Sequence, residues 1–244
     1  MNDRTVALVT GGSRGIGAAT ALRLAEDGFD VALTYTDGEE AANGVVGRIE
    51  ALGRRGLAVR ADAGDPARAA ACVEETVRTL GRLDVLVNNA GIGVLGPLEE
   101  LDPRDVDRVL DVNVRGVFLT TRAAAAHLGP GGRIVTIGSC MALRVAGPGG
   151  TLYTMSKAAL AGLTRALARE LGGRGITANL VLPGPVDTDM NPADGPHADA
   201  QRALTALGRF GTPAEVAALV SFLAGPEAGF VTGAELSVDG GHAA

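Results

Sequence analysis

The sequence predicts a single α/β domain that is built on a doubly wound parallel sheet. Two observations support this class. Short apolar runs rich in β-branched residues alternate with longer stretches of helical periodicity along the 244 residues. In addition, no low-complexity stretch, repeat or block of like charge divides the chain. One domain over residues 1–244 is therefore expected, with no second domain.

The first elements are a strand, a glycine turn and a helix. Residues 6–10 (VALVT) have the length and branching of a buried strand, and a helical pattern starts about residue 18. Between them, glycines let the backbone approach a pyrophosphate, and the helix start offers free N–H groups to an anion. The spacing is G-x-x-x-G-x-G, whereas the common dinucleotide fingerprint is G-x-G-x-x-G. The residues expected to hold the cofactor here are Gly11, Ser13, Arg14, Gly15, Ile16 and Gly17.

The end of the second strand, residues 31–36, indicates which dinucleotide binds. An NAD-preferring chain usually has Asp or Glu about 20 residues after the glycine turn, and Tyr35 stands there instead. Thr36 can donate a hydrogen bond and Arg14 supplies positive charge, which suits a 2′-phosphate. Asp37 lies two residues further on and could turn toward the ribose. The sequence predicts NADPH or NADP rather than NAD.

Later strands run into polar residues. Residues 85–87 lead into Asn89, Ala90 and Gly91, and residues 134–137 lead into Ser139. Asn113 lies in a long helical stretch that begins with Asp102 as N-cap and a proline at the first helical position.

Tyr153 and Lys157 lie four residues apart in a segment of good helix formers, so their side chains share one face. An ammonium near a phenol favours the phenolate, so Lys157 is expected to lower the tyrosine pKa. Such a pair also occurs on ordinary amphipathic helices. A phenol placed in this way can act as a proton donor.

Six motifs in this order resemble the short-chain dehydrogenase/reductase family, and the resemblance covers residues 6–241. They are the glycine turn after Thr10, the Asn-Asn-Ala-Gly run at 88–91, Asn113, Ser139, the Tyr153-x-x-x-Lys157 pair and the Pro-Gly pair at 183–184. The resemblance implies a Rossmann-type fold. It also implies a catalytic set in which Tyr153 donates a proton to a carbonyl oxygen and Ser139 binds that oxygen. Lys157 would lower the Tyr153 pKa and bind the nicotinamide ribose, and Asn113 would hold a water.

The same resemblance implies further cofactor contacts and a lid. Residues 187–207 would cover the substrate, beside a mostly apolar pocket. The additional cofactor contacts, beyond Tyr35 and Thr36, would be Asp62, Ala63, Asn89, Ala90, Gly91, Tyr153, Lys157, Pro183, Gly184, Val186 and Thr188. Of these, Asp62 could instead be a helix-capping or loop residue that does not contact the cofactor.

Two functions follow from these patterns. Residues 183–196 resemble the 3-oxoacyl reductase-like subgroup, and in particular its bacterial biofilm-dispersal type members. The first function is an NADPH-dependent carbonyl reductase that interconverts an uncharged ketone and a secondary alcohol. The predicted lid contains four aspartates and one arginine, so its negative charge would repel the phosphates of a CoA-type substrate. The alternative is a nucleotide-binding regulatory protein that retains a reductase fold.

Composition excludes several other classes. A net charge of −6 and dispersed arginines argue against nucleic acid as a partner. No signal-like N-terminus or membrane span is evident, so a cytoplasmic protein is expected. Cys72 and Cys140 are too few for a disulfide framework, and the three histidines are too scattered for a metal site. Small and apolar residues surround the helix that carries Tyr153, and the family resemblance implies one interface on this helix and a second on residues 236–244. A homotetramer is therefore expected, or a dimer if only the helical contact forms.

Overall fold

The computed structural model describes residues 5–244, and the strands of this range lie in one parallel sheet. The order across the sheet reverses between the first and fourth strands, so a crevice forms outside their carboxyl ends. The predicted doubly wound sheet is confirmed. The strands are β1 (Val6–Val9), β2 (Asp30–Tyr35), β3 (Gly56–Arg60), β4 (Val85–Asn88), β5 (Arg133–Ile137), β6 (Thr177–Pro183) and β7 (Glu235–Val238), in the order β3-β2-β1-β4-β5-β6-β7.

Helices cover both faces of this sheet. The helices are α1 (Gly15–Glu26), α2 (Glu39–Ala51), α3 (Pro66–Leu80), α4 (Pro103–Leu110), α5 (Val117–His127), α6 (Thr151–Leu171), α7 (Ala198–Leu204) and α8 (Pro213–Ala224). One apolar core lies between the sheet and α1, α2 and α8. Apolar residues of α3, α5 and α6 pack on the opposite face. Because both faces are covered, the central strands are buried almost completely, which explains their continuous apolar sequence.

Side-chain caps fix several helix starts. Asp102 accepts a hydrogen bond from the Arg104 amide at 2.8 Å, and Pro103 takes the first helical position, as the sequence predicts. Thr212 and Glu215 form a reciprocal capping box at α8. These caps determine the residues at which α4 and α8 begin.

The stretch between α4 and α5 is not a regular α-helix. Residues Asp111–Gly116 form a wide π-helical turn that contains Asn113. A Cβ atom on Gly116 would lie 2.1 Å from the Ala63 carbonyl oxygen, so the turn packs closely on the loop after β3. The sequence predicts the long helical stretch, and the structure adds the insertion that turns Asn113 inward. Such insertions occur frequently at functional sites.

No helix within residues 5–244 is both long enough and apolar enough to cross a bilayer.

Candidate active site

The glycine turn between β1 and α1 depends on residues without a Cβ atom. Gly11 and Gly15 have φ angles of 62° and 52°, in the left-handed region that glycine favours. A Cβ atom on Gly17 would lie 2.2 Å from the Gly11 carbonyl oxygen. Two of the three glycines are therefore required by backbone conformation and the third by close packing, which explains the spacing in the sequence.

The start of α1 is open to an anion. Its N-cap residue, Arg14, makes no side-chain capping bond and is exposed. The Thr188 methyl group lies 3.3 Å from the position of a Cβ atom on Gly15, so the segment after β6 passes beside the turn. Ser13 and Ile16 lie in the same turn and are partly exposed. The turn thus combines an uncapped helix N-terminus, an arginine and a covering segment, which are the parts that a dinucleotide pyrophosphate requires.

The loop after β4 is tied to the glycine turn across the crevice. The Thr10 hydroxyl accepts hydrogen bonds from the Asn89 amide at 2.9 Å and from the Ala90 amide at 3.0 Å. The Asn89 side chain donates to the carbonyls of Thr10 and Gly11, at 2.9 and 3.0 Å. These bonds bring the Asn-Asn-Ala-Gly run and the glycine turn together, although the bonded residues are 78 to 80 positions apart in the sequence.

The carboxyl end of β2 carries the residues that were expected to determine the preference for NADP or NAD. Tyr35 is buried, whereas Thr36 and Asp37 are exposed. The parallel register places Arg60 of β3 opposite Tyr35, and Arg60 Nε donates to the Thr36 carbonyl oxygen at 3.4 Å. Arg60 is not among the residues that the sequence predicts to bind the cofactor. Its position depends on the register between two strands, which the sequence does not display.

Asp62 and Ala63 follow β3 in the loop that faces the π-helical turn. Asp62 accepts hydrogen bonds from the Gly64 amide and from Arg108 Nη2, both at 2.9 Å. Burial raises the pKa of Asp62, but the bonds from Arg108 and Gly64 outweigh it and hold the pKa below its usual value. Asp62 is therefore a charged loop residue whose geometry is fixed before any ligand binds.

Ser139 and Tyr153 lie next to each other at the end of β5. The Ser139 hydroxyl accepts a hydrogen bond from the Met141 amide at 3.2 Å, and it lies close enough to Tyr153 to influence the pKa of the phenol. Burial raises the pKa of Tyr153, and Ser139 opposes that effect only in part. The expectation of a lowered tyrosine pKa is wrong for the protein without a ligand, because desolvation of the phenolate dominates.

Lys157 lies below the tyrosine ring, with Nζ 5.9 Å from the ring centre. Nζ donates a hydrogen bond to the Ile137 carbonyl oxygen at 3.1 Å, and the side chain is buried. Burial lowers the pKa of Lys157 to about 8. A Cβ atom on Gly91 would lie 3.1 Å from Nζ, so the glycine that ends the Asn-Asn-Ala-Gly run leaves room for the ammonium group.

Asn113 is fully buried, and its side chain is held by three hydrogen bonds. Its Oδ1 accepts from the Ile92 amide at 2.9 Å, and its Nδ2 donates to the Ile92 carbonyl at 2.9 Å and to Ser156 Oγ at 3.0 Å. Ser156 in turn donates to the Tyr153 carbonyl oxygen at 2.8 Å. Ser156 thus connects Asn113 to the helix turn that carries Tyr153. Only its place between Tyr153 and Lys157 in the sequence could have indicated this role.

Large apolar side chains are exposed on the loops that follow β4 and β5 and on the predicted lid. A Cβ atom on Gly93 would lie 3.8 Å from the tyrosine ring, and the loop beyond it is joined to the loop before α6 by a bond from the Gly96 amide to the Gly149 carbonyl at 2.9 Å. These two loops and the predicted lid carry large apolar residues that are at least half exposed: Leu95, Leu98, Leu143, Val145 and Met190. Pro183 and Val186 are buried, and Gly184 lies between them at the end of β6.

Within residues 5–244, no group of three His, Cys, Asp or Glu side chains is arranged to hold a metal ion.

Comparison with known proteins identifies the family. A family profile described as enoyl-(acyl carrier protein) reductase matches residues 11–243. The cyclic-di-GMP-binding biofilm dispersal mediator protein of Escherichia coli K12 is 45% identical, and the match covers 97% of this chain and 96% of that protein. A short-chain dehydrogenase from Burkholderia cenocepacia, solved in complex with NADP, superposes with a TM-score of 0.97 at 56% identity over 98% of each chain. A blue fluorescent protein from a metagenomic library, solved with NADPH, has a TM-score of 0.97 at 52% identity over 100% of each chain. The chain therefore belongs to the short-chain dehydrogenase/reductase family of oxidoreductases.

Proposed function

We propose that this protein is an NADPH-dependent reductase of an apolar ketone, with Tyr153 as the general acid. The observation that carries the proposal is the convergence of Ser139, Tyr153 and Lys157 beside the glycine turn. The carboxyl ends of β1, β4 and β5 bring these groups together at the point where the strand order reverses.

The cofactor site fits NADPH. The turn at residues 11–17 has the uncapped helix start and close packing that a pyrophosphate needs. Arg60 provides positive charge beside the exposed Thr36, where a 2′-phosphate would lie, and Arg14 adds positive charge at the glycine turn. Two similar structures contain NADP or NADPH. When bound, the nicotinamide supplies or accepts the hydride of the reaction.

The protein residues bind the substrate carbonyl oxygen and transfer one proton to it. Because burial raises its pKa, Tyr153 is protonated at neutral pH and ready to donate its hydroxyl proton to the substrate carbonyl oxygen. The Ser139 hydroxyl can bind the same oxygen. With a pKa of about 8, Lys157 is mostly charged at pH 7, so it stabilises the phenolate that remains after proton transfer. Asn113, through Ser156, keeps the tyrosine-bearing turn in place.

The entrance favours an uncharged, apolar substrate. Leu95, Leu143 and Met190 are exposed on the two loops and the proposed lid that would border the substrate. In the proposed lid, residues 187–207, Asp189 and Asp194 are exposed, whereas Arg202 is paired with Asp199. A phosphorylated carrier would therefore meet negative charge, while a ketone with an apolar body would be attracted by the rim.

NADPH oxidation across a panel of ketones tests the proposal. Apolar aryl or alkyl ketones should be reduced with a higher kcat/KM than CoA thioesters of 3-oxo acids. Tyr153→Phe removes the proton donor and keeps the ring, so turnover should fall by about 10² to 10⁴-fold while NADPH affinity is retained. Turnover of the phenylalanine variant near that of the wild type would disprove the assigned role of Tyr153.

A second function is favoured by one finding, the 45% identity to a protein described as binding cyclic-di-GMP. In this alternative the chain is a nucleotide-binding regulator that retains the reductase fold. Titration calorimetry with cyclic-di-GMP, with and without saturating NADPH, separates the two. Tight binding of cyclic-di-GMP by a protein that reduces no ketone would support the regulatory function.

A further inference from the structure

The C-terminal tail, residues 239–244, folds into a compact turn against the active site. The two carboxylate oxygens of Asp239 accept hydrogen bonds from the Gly241 amide at 3.0 Å and the Ala243 amide at 2.9 Å. The His242 amide donates to the Asp239 carbonyl at 3.1 Å, and the His242 side chain is buried. One aspartate therefore fixes the tail in a conformation that points an imidazole inward.

The imidazole contacts the residue next to Ser139. His242 Nδ1 lies 3.4 Å from Cys140 Sγ, and both side chains are about 95% buried. Cys140 opens the short 3₁₀ turn Cys140–Ala142, whose N-cap is Ser139. Arg144, just beyond this turn, donates to the His242 carbonyl oxygen at 2.9 Å. The tail therefore contacts this turn at two points, Cys140 and Arg144, and the turn in its own right orients the Ser139 hydroxyl.

The other side of the tail contacts the proposed lid and the Pro-Gly pair. The Leu207 amide donates to the Gly240 carbonyl at 3.0 Å, and a Cβ atom on Gly241 would lie 2.7 Å from Ala206 Cβ. A Cβ atom on Gly184 would lie 2.6 Å from Asp239 Cα. The tail is therefore packed between the end of the lid, the cofactor loop and the Ser139 turn, so a shift of one is transmitted to the others through close contacts.

A chemical role for the Cys140 thiol does not fit its surroundings. Burial, and after it the negative charge of Asp239, raises the pKa of Cys140 to about 11. The thiol is protonated at neutral pH, and a nucleophile or metal ligand needs the thiolate. The contact with His242 consequently serves geometry rather than reaction.

We propose that His242 is a positioning residue, which fixes the Ser139 turn and links it to the lid. The proposal rests on the proposed function, in which Ser139 binds the carbonyl oxygen. A small displacement of that hydroxyl lowers turnover because the oxygen and the Tyr153 hydroxyl must be aligned when the proton moves. None of the predicted cofactor contacts lies in residues 140–144, and the tail contacts Gly184 through Asp239 rather than His242, so NADPH affinity should be largely retained.

Steady-state kinetics with purified full-length variants test the assignment. His242→Leu keeps the approximate size but removes the ring nitrogen, so kcat should fall about 10-fold or more, with an NADPH dissociation constant within about twofold of the wild type. His242→Asn restores a polar group near the Nδ1 position and should recover most of the loss. His127→Leu, which alters a histidine at the far end of α5, is the matched control and should leave kcat unchanged.

Coupling between the two side chains separates positioning from general destabilisation. Cys140→Ala should cause a loss similar to His242→Leu, and the double variant should be no worse than the more affected single variant. Independent, multiplicative losses would overturn the proposal. So would a His242→Leu variant with wild-type kcat.

Hydrogen–deuterium exchange supplies a readout that does not need a substrate. In His242→Leu, amides in residues 139–144 and 206–208 should exchange faster, while those of the glycine turn at 11–17 should not change. A wild type that reduces no ketone would defeat the proposed function, yet exchange would still decide whether His242 holds these two segments. Unchanged exchange in both segments would overturn the proposal.

Discussion

Lys157 shows how a single residue can favour function over stability. Its folded pKa of about 8 lies below the ordinary value of 10.5 because the ammonium group is desolvated. Below pH 8 the folded protein therefore carries a buried charge at an energetic cost. As the pH rises from 8 to 10.5, the unfolded chain binds more protons than the folded one, so this cost disappears.

We expect Lys157→Met to be inactive and more stable than the wild type in the absence of cofactor. At pH 7 the free energy of unfolding should rise by about 1 to 3 kcal/mol, because an apolar side chain replaces a desolvated charge. At pH 9 the gain should be smaller. Urea denaturation at the two pH values measures both, and a gain that does not depend on pH would contradict the assigned desolvation.

Tyr35 and Arg60 are opposite each other at the adenosine end of the proposed cofactor site. Tyr35→Asp places a carboxylate near the ribose, so the ratio of kcat/KM for NADPH over NADH should fall by a charge effect of about 1 to 3 kcal/mol. Arg60→Gln should weaken NADPH binding and leave NADH binding nearly unchanged. Fluorescence titration of each nucleotide gives these affinities directly.

Arg68→Gln, on the exposed first turn of α3, is the matched control for Arg60. It removes the same charge at a different site and should not alter the preference. A wild-type protein that prefers NADH would refute the reading of Tyr35, Thr36 and Arg14.

At the scale of elements, a pair of amides joins the two ends of the proposed lid. Asn191 and Gln201 exchange two hydrogen bonds, of 2.8 and 2.9 Å, which join the start of the lid to α7. Arg202 also donates to the Ala193 carbonyl and lies 5.5 Å from the ring centre of Phe210. These contacts give residues 187–207 one defined arrangement although most of the segment is exposed.

Gln201→Leu should loosen this lid because it leaves the Asn191 amide without its partner. We expect a several-fold higher KM for the ketone, a smaller change in kcat, and faster proteolytic cleavage within residues 187–207. Ala200→Leu, at an exposed neighbouring position, is the control. If cleavage and KM stay at wild-type values, the amide pair does not hold the lid.

For the whole molecule, two apolar surfaces remain exposed on a single chain. On α5 and α6, Phe118 and Met155 are about half exposed beside the exposed small residues Ala158, Ala159 and Gly162. The segment before edge strand β7 carries Phe230, which is fully exposed. Two separate self-complementary surfaces of this kind produce a closed tetramer when each pairs about a two-fold axis.

Light scattering after size exclusion should give four times the 24.5 kDa mass of the chain. Ala159→Arg places a large charge where small residues allow helices to approach, so it should reduce the tetramer to a dimer. Phe230→Asp should do the same through the other surface, and the two together should give a monomer. A wild-type mass of one chain would refute the interpretation of both surfaces.

The amino-acid sequence by itself determined the sheet and its helices, and it named residues that the structure brings together at the candidate site. Buried parallel strands require continuous apolar runs, and the tight turn at Gly11 and Gly15 requires glycine, so both leave local signals. Ser139, Tyr153 and Lys157 were predictable for a related reason: each follows a recognisable strand or lies at helical spacing.

The tertiary structure decided what depends on contacts between distant segments. Arg60 opposite Tyr35, Ser156 between Asn113 and Tyr153, and His242 against Cys140 all result from strand register or long-range packing. The direction of the Tyr153 pKa shift also depends on the tertiary structure. The neighbouring lysine is visible in the sequence, but the burial that raises the tyrosine pKa is a property of the folded chain.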